Sequence, residues 1–477
     1  MERGALGGFA AVDLAAALPE ARPIDETVEL RCAYFCGEGD ACLWMVLDFM
    51  DFDQPTVIAV RAAAAAALAL PIGQVHLLTT HNHGADEVDR LKLDVLCDCA
   101  AAAARHAAAA AEPLFMRFAR ISVPEQWNYR RRIAFPEVDV HGMTTVFYGP
   151  ASDNGYDAEP FLAFQRRMLV EQGVVAYAGR DETPVRPASA RRLASGDPFL
   201  AVWRFENRSG APVGWFCRFA AHAVCCNRAD HYSSDYPFYV RRELERLGGG
   251  GTALFFNGPC GDIAPGMTDK HAGYERKLGL QLAATAWRAL SGVPVQPLTL
   301  VRDRMAELPI LLRPDFPAAT EDAMPFPPEL RPDEPAAARR RGERLALLRN
   351  REFLEAKCRT AGEWTPGSVR LGLLQLNDTL LLGLPGETFW TTGETIAAAT
   401  DWPPEKLVTA TEHDRTAMYI VPPGEYHTGG YETTCCLTDA AFEPALVAAA
   451  VALIRDAVNE IPNQKARKAV QSADPRQ

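Results

Sequence analysis

Three short stretches carry side chains able to share one cation. Thr80-His81-Asn82-His83 offers two imidazoles, Phe219-Ala220-Ala221-His222 a third, and Pro385-Gly386-Glu387 a carboxylate. Two tyrosines, Tyr419 and Tyr431, follow twelve positions apart. Together they supply His, His, Glu and Tyr donors for a hard-to-borderline ion. Zinc takes imidazole nitrogen and carboxylate oxygen readily, and a labile coordination position makes such a site catalytic. His81 and His83 are two residues apart. On a strand they share a face; on a loop they need not both reach one metal.

These residues need elements to position them. Glu29 to Phe35 and Cys42 to Phe49 read as strands, and alanine-rich Val57 to Ala69 as a helix. Val75 to Leu78 is a short apolar strand that ends just before His81, and a long alanine helix follows from Val88 to Ala111. Residues 113–145 read as strand, turn, strand and carry Arg130, Arg131 and Arg132. Phe199 to Phe205 and Val213 to Ala220 form a hairpin around the polar turn Asn207–Pro212, and its second strand leads into His222. Tyr239 to Leu247 and Lys277 to Ala289 read as helices, with a strand at Thr252 to Phe256 between them. Residues 368–384 read as two strands, the second ending at Glu387, and Phe442 to Val458 as the last helix. The alternation predicts an α/β fold of mixed sheets flanked by helices. No internal repeat is visible in the sequence.

The ordered motifs resemble the neutral, non-lysosomal ceramidases. That family has a T-H-x-H turn, an F-x-x-H segment, a G-D-x-x-P loop, a P-x-E segment and a pair of tyrosines twelve apart. Here they read Thr80 to His83, Phe219 to His222, Gly261-Asp262-Ile263-Ala264-Pro265, Pro385 to Glu387, and Tyr419 with Tyr431. The resemblance implies one large catalytic domain over residues 28–460. It would have an irregular lead-in at 1–27, an inserted segment at 146–197, a Pro-rich linker at 313–336 and a disordered tail at 461–477. A further C-terminal β-sandwich, common in the family, is expected to be absent.

The resemblance also assigns roles. It makes His81, His222, Glu387 and Tyr419 zinc ligands and leaves His83 beside the metal or the substrate. Only the resemblance separates Tyr419 from Tyr426 and Tyr431. It gives Tyr431 and one arginine to the substrate carbonyl; Arg130, Arg131 and Arg132 compete for that task, with Arg131 favoured. Asp262 and Asp235 match positions near the site, where loop capping is the plainer role. One departure matters: the family has serine where this chain has Ala264. Any serine-dependent step is therefore unavailable, while a metal-activated water remains usable. The implied activity is zinc-dependent hydrolysis of an amide bond in a soluble small molecule, with ceramide itself disfavoured. The alternatives are a biosynthetic zinc enzyme that forms or rearranges an amide or ester, and a non-catalytic zinc- or ligand-binding relative.

Composition narrows the partners. The chain has 477 residues and 48% apolar composition, enough for a large core and, on length alone, for two or three domains. A net charge of −12 disfavours nucleic acid and anionic membrane as partners, since both need clustered lysine and arginine. Arg339-Arg340-Arg341 lies among acidic residues and reads as a solvated helix face. Residues 1–22 hold Glu2, Arg3, Asp13 and Glu20, so no secretory signal is expected, and no run reaches membrane-spanning length. A cytoplasmic location follows as an expectation. The 12 cysteines then read as reduced thiols. Several crowd the motifs: Cys225, Cys226, Cys260, Cys435 and Cys436. Tight apolar packing is the plain account, and Cys260 is the best candidate for a substrate-contacting thiol.

Overall fold

The structure is a computed structural model. It describes residues 4–19, 22–37, 40–85, 91–124, 127–134, 143–145, 196–226, 231–266, 273–312, 359–360, 363–364, 367–414, 419–426, 431–434 and 436–459. The segments expected as an insertion (146–195 of it), a linker (313–336), the Arg339–Arg341 helix face and the tail (461–477) lie outside the described residues. The side chain of Tyr431 and all of Cys435 also lie outside them.

One connection recurs three times. Leu6–Asp13, Glu29–Gly37 and Asp40–Leu47 pair antiparallel in succession; helix Gln54–Leu68 then crosses to Val75–Thr79, which runs parallel to Asp40–Leu47. Phe115–Ser122, Phe199–Glu206 and Pro212–Phe219 repeat the antiparallel succession. Helix Asp235–Gly248 crosses from there to the parallel strand Thr252–Asn257. Val301–Pro309, Ser368–Leu376 and Thr379–Gly383 do so again, with helix Trp390–Ala398 leading to the parallel strand Leu407–Ala410. A crossover helix is what a parallel return requires, because a tight turn can join only antiparallel neighbours. The sequence reading of no internal repeat is corrected here: the repeat lies in the chain path.

The three sheets share an inner core. Trp44 and Leu78 of the first sheet, Trp203, Phe216 and Phe256 of the second, and Leu374, Leu381 and Val408 of the third lie in one buried cluster. The opposite face of each sheet packs on its own helices. Leu43, Met45 and Leu77 meet Val60 and Leu96; Val202, Phe255 and Cys217 meet Val240 and Leu282; Leu373, Leu380 and Leu382 meet Ile396 and Leu446. Strands covered on both faces read as continuous apolar runs rather than alternating ones, as Leu43 to Leu47 and Leu380 to Leu382 do. The fold is thus α/β, with mixed sheets flanked by helices. Among the described residues no helix is long and apolar enough to cross a membrane.

Most strands and helices read from the sequence are present with shifted ends. The long alanine helix is Leu93–Ala109, the helix read from Tyr239 begins at Asp235, and the one read from Lys277 begins at Tyr274. Four elements of the three repeated units went unread. Leu6–Asp13 is a strand inside the stretch expected to be irregular, paired on both sides. Its two glycines disguise it. Gly8 faces the end of helix Leu93–Ala109, where a Cβ would run into the Ala107 carbonyl. Val301–Pro309 carries Arg302, Asp303, Arg304 and Glu307, a pattern that hides a sheet-edge strand. Trp390–Ala398 and Leu407–Ala410 are short, and they complete the third crossover.

Candidate metal centre

The carboxyl ends of the inner strands converge. Thr411 N–H donates to the Asn257 carbonyl (2.8 Å), the Asn257 side-chain amide to the Thr80 carbonyl (3.2 Å), and Thr79 N–H to the Glu412 carbonyl (3.2 Å). These bonds bind the ends of all three parallel strands together. His81 follows the first by two residues, at φ 54°. His222 follows Pro212–Phe219, and its backbone is clasped by the Ile263 carbonyl (3.1 Å). His83 N–H donates to the Ala223 carbonyl (3.2 Å), which joins the two histidine turns. Glu387 follows Thr379–Gly383 and pairs in parallel register with Tyr419. Gly261 passes against Glu387 so closely that a Cβ would strike the Glu387 carbonyl, and its N–H donates to Thr388 (3.0 Å).

The donor atoms meet as the backbone dictates. Glu387 Oε2 lies 3.0 Å from His222 Nε2 and 3.4 Å from His81 Nε2. His83 Nε2 lies 3.3 Å from His81 Nε2. Ring nitrogens of the three histidines all fall within 4.8 Å of one another. The outer nitrogens fix the tautomers. His222 Nδ1 faces the Ile263 carbonyl at 3.0 Å and His81 Nδ1 the Met50 carbonyl at 3.1 Å. A carbonyl only accepts, so each Nδ1 carries the proton. The Nε2 lone pairs then point at one another and at a carboxylate. Lone pairs at such separations need a proton or a metal cation between them. The donor set and its tautomers therefore fit zinc.

Burial and the neighbouring charges shift these four groups in different directions. Burial depresses the His81 imidazole, but the Glu412 and Glu387 carboxylates outweigh it and raise His81 to about 9. Burial and the Arg131 charge push His222 down to about 4. Burial, with His81 and His222 beside it, holds His83 well below the usual imidazole range. Burial opposes ionisation of Glu387, yet His81 and His222 hold it well below the usual carboxylate range.

The Arg131 charge acts on this cluster. Arg131 is buried. Its Nε donates to Glu432 (2.7 Å), and one Nη donates both to the Gly261 carbonyl (2.9 Å) and to the Tyr419 hydroxyl (2.8 Å). Arg130 pairs instead with Asp262 and Glu425, and Arg132 with Glu425 and Glu432. Arg131 thus contacts Tyr419 directly. Asp262 is enclosed, with one oxygen on Arg130 Nε (2.7 Å) and the other on Trp390 N–H (3.1 Å). Its contacts orient the arginine strand and the start of helix Trp390–Ala398. Asp235 lies at φ 52°, accepts from Cys226 N–H and Tyr236 N–H (both 2.6 Å) and begins the second crossover helix. Ala264 is buried and pairs with Tyr129, beside the Ile263 carbonyl that both His222 groups use. Cys260 is fully buried, and burial with Glu412 and Glu387 nearby pushes its thiol well above the ordinary range. It is packing, and the thiol is no ready nucleophile. Tyr431 opens the short helix Tyr431–Thr434.

Glu412 escaped the sequence reading. It follows the third parallel strand by two residues, is fully buried, and sets Oε1 3.6 Å from His81 Nδ1. The only local signal is an acidic residue two positions past a strand just four residues long.

No protein-family model matches the sequence, and no curated protein matches it. Two solved structures are similar along nearly the whole chain. The neutral ceramidase from Pseudomonas aeruginosa superposes with a TM-score of 0.62 at 15% identity, covering 95% of this chain and 75% of that one. A structure described as a ceramidase complexed with C2 gives 0.63 at 16% identity, covering 95% and 76%. At this identity the likeness concerns chain path, and it covers all three repeated units: the protein has a ceramidase-like α/β fold.

Proposed function

We propose that this protein is a zinc-dependent hydrolase that cleaves an amide bond in a soluble N-acyl small molecule. The observation that carries the reading is the convergence of His81, His222 and Glu387 from three different sheets, with Glu387 Oε2 3.0 Å from His222 Nε2 and 3.4 Å from His81 Nε2. The neighbours' name, ceramidase, supplies the amide class. His81 Nε2, His222 Nε2 and Glu387 would hold the ion, with Tyr419 as the fourth donor. At such a site zinc supplies Lewis acidity and brings the pKa of water toward neutrality.

This chain's own groups do the rest. His83, kept neutral, accepts a proton and passes it to the leaving amine. Arg131 holds the Tyr419 hydroxyl and places a buried positive charge beside Glu387. Tyr431 donates to the oxygen that gains negative charge. Asp262 keeps Arg130 and the neighbouring strand in place. Ala264 offers no hydroxyl, which removes any serine-dependent step and disfavours long-chain ceramide.

The test is turnover of a panel of short N-acyl amides by zinc-loaded protein, with and without chelator. Turnover that disappears on chelation and returns with zinc is expected. A panel with no turnover, despite full zinc occupancy, would favour a binding protein. Hydrolysis of long-chain ceramide in micelles as fast as that of the best soluble amide would overturn the substrate class.

A further inference from the structure

The carboxylate of Glu412 has no role in the chemistry above, yet it occupies a costly position. It is fully buried, and among the described residues neither carboxylate oxygen has a hydrogen-bond partner. Its backbone sits at φ 60°, a conformation that L-residues other than Asn, Asp and Gly rarely adopt. Two bonds hold it there: Glu412 N–H donates to the Gly386 carbonyl (3.3 Å), and the Glu412 carbonyl accepts from Thr79 N–H (3.2 Å). Those bonds reach the strand end before His81 and the turn before Glu387. An unpaired carboxylate in a protein interior is strongly unfavourable unless a cation lies nearby.

The cationic partner available to it is the His81 ring. Glu412 Oε1 stands 3.6 Å from His81 Nδ1, on the side of the ring away from Nε2. The Met50 carbonyl already takes the Nδ1 hydrogen bond at 3.1 Å. Glu412 therefore adds charge more than a hydrogen bond. Burial favours the neutral acid of Glu412 and the His81 ring opposes that; a dication at the centre would favour the carboxylate, which with Glu387 would offset the ion's charge.

We propose that Glu412 is a positioning residue of the metal centre: from behind His81 it keeps the ring turned with Nε2 toward the metal, and it supplies the second negative charge that retains a divalent ion. The proposal rests on the zinc reading given above. It assigns a structural strain and an unpartnered charge to metal affinity rather than to the fold.

Zinc affinity by chelator competition, and the melting temperature of metal-free protein, test it together. Glu412→Gln keeps the shape and removes the charge. Glu412→Gly removes the side chain, and glycine adopts φ 60° without strain, so the backbone is kept. Both variants are expected to bind zinc ten- to a hundredfold more weakly, the scale of outer-contact losses at metal sites. Their metal-free forms are expected to melt no earlier than the parent. A zinc Kd within twofold of the parent in either folded variant overturns the proposal. So does weakening that is matched by earlier melting of the metal-free protein in both variants, since that is a structural role. His222→Ala serves as the reference. Zinc lost there but retained in Glu412→Gln removes Glu412 alone from the centre. Zinc retained in His222→Ala overturns the centre, and the proposal with it.

Discussion

The first and third units follow the same chain path and finish with opposite chemistry. Each runs three antiparallel strands, a helix and a parallel strand, and each places a left-handed residue two positions beyond that last strand. In the first unit this residue is His81; in the third it is Glu412. The second unit has the same path, but its parallel strand ends at Asn257, whose amide braces the Thr80 carbonyl. The third antiparallel strands differ likewise, leading to His222 in the second unit and Glu387 in the third. The shared path brings strand ends together. The choice of side chain at each end decides that two units contribute imidazole and one contributes carboxylate. That division lets neutral donors and negative charge meet around one ion.

The largest effect should come from removing one donor per unit. His222→Ala and Glu387→Gln, from the second and third units, are each expected to drop zinc from about one equivalent per chain to near none. Elemental analysis after gel filtration reads this directly. Full occupancy in one variant and loss in the other would show that the units do not share a single ion.

Next is the source of the fourth donor. His83 belongs to the first unit and Tyr419 to the third, and both stand beside the others. Tyr419→Phe is expected to weaken zinc retention, and His83→Ala to retain zinc while slowing turnover by about a hundredfold, the scale of a lost proton-transfer group. The opposite pattern would move the fourth donor to the first unit. Tyr431→Phe should keep zinc and lose roughly a hundredfold or more in turnover. An unchanged rate there would remove it from the reaction.

A stability effect should mark where the segment after the third sheet is strapped to the arginine strand. Glu432 is fully buried and serves both Arg131 and Arg132. Breaking a buried pair on one side costs about 3–5 kcal/mol. Glu432→Gln is expected to lose stability of that order in urea titration. A loss below about 1 kcal/mol, the scale of an exposed pair, would show that the strap is solvated.

The smallest effect concerns the second unit alone. Burial raises Asp235 to about 7 in the folded state, from an ordinary value of 3.8. Between those values the folded protein holds a proton that the unfolded chain has released. Stability is therefore highest at low pH within this window and declines as pH rises from about 4 to about 7. Asp235→Asn cannot ionise, so its melting temperature should decline less between pH 5 and pH 7.5 than that of the parent. Parallel profiles for both proteins would remove Asp235 as the source.

Some of this was legible without coordinates. His81, His222 and Glu387 each sit just past an apolar run, and a polar residue at a buried strand end needs a partner or a metal. Such a signal is local, so the sequence carries it. The runs themselves marked most strands and helices, because burial on both faces leaves continuous apolar stretches. Their ends were less legible: Asp235 to Tyr236 looked like loop yet begins a helix. Leu6–Asp13 was hidden by glycines that make room for a helix distant in sequence.

What the sequence determined by itself is the set of local elements and the donors at their ends, since helix periodicity, apolar runs and turn residues depend on near neighbours. The tertiary structure alone decided the threefold recurrence of one chain path, the meeting of three strand ends, and the place of Glu412 behind His81. Those depend on parallel pairings and on contacts far apart in sequence, such as His222 with Glu387, which are 165 positions apart. Parallel pairing leaves no turn signature, and a carboxylate after a four-residue strand looks like any polar loop until the fold buries it.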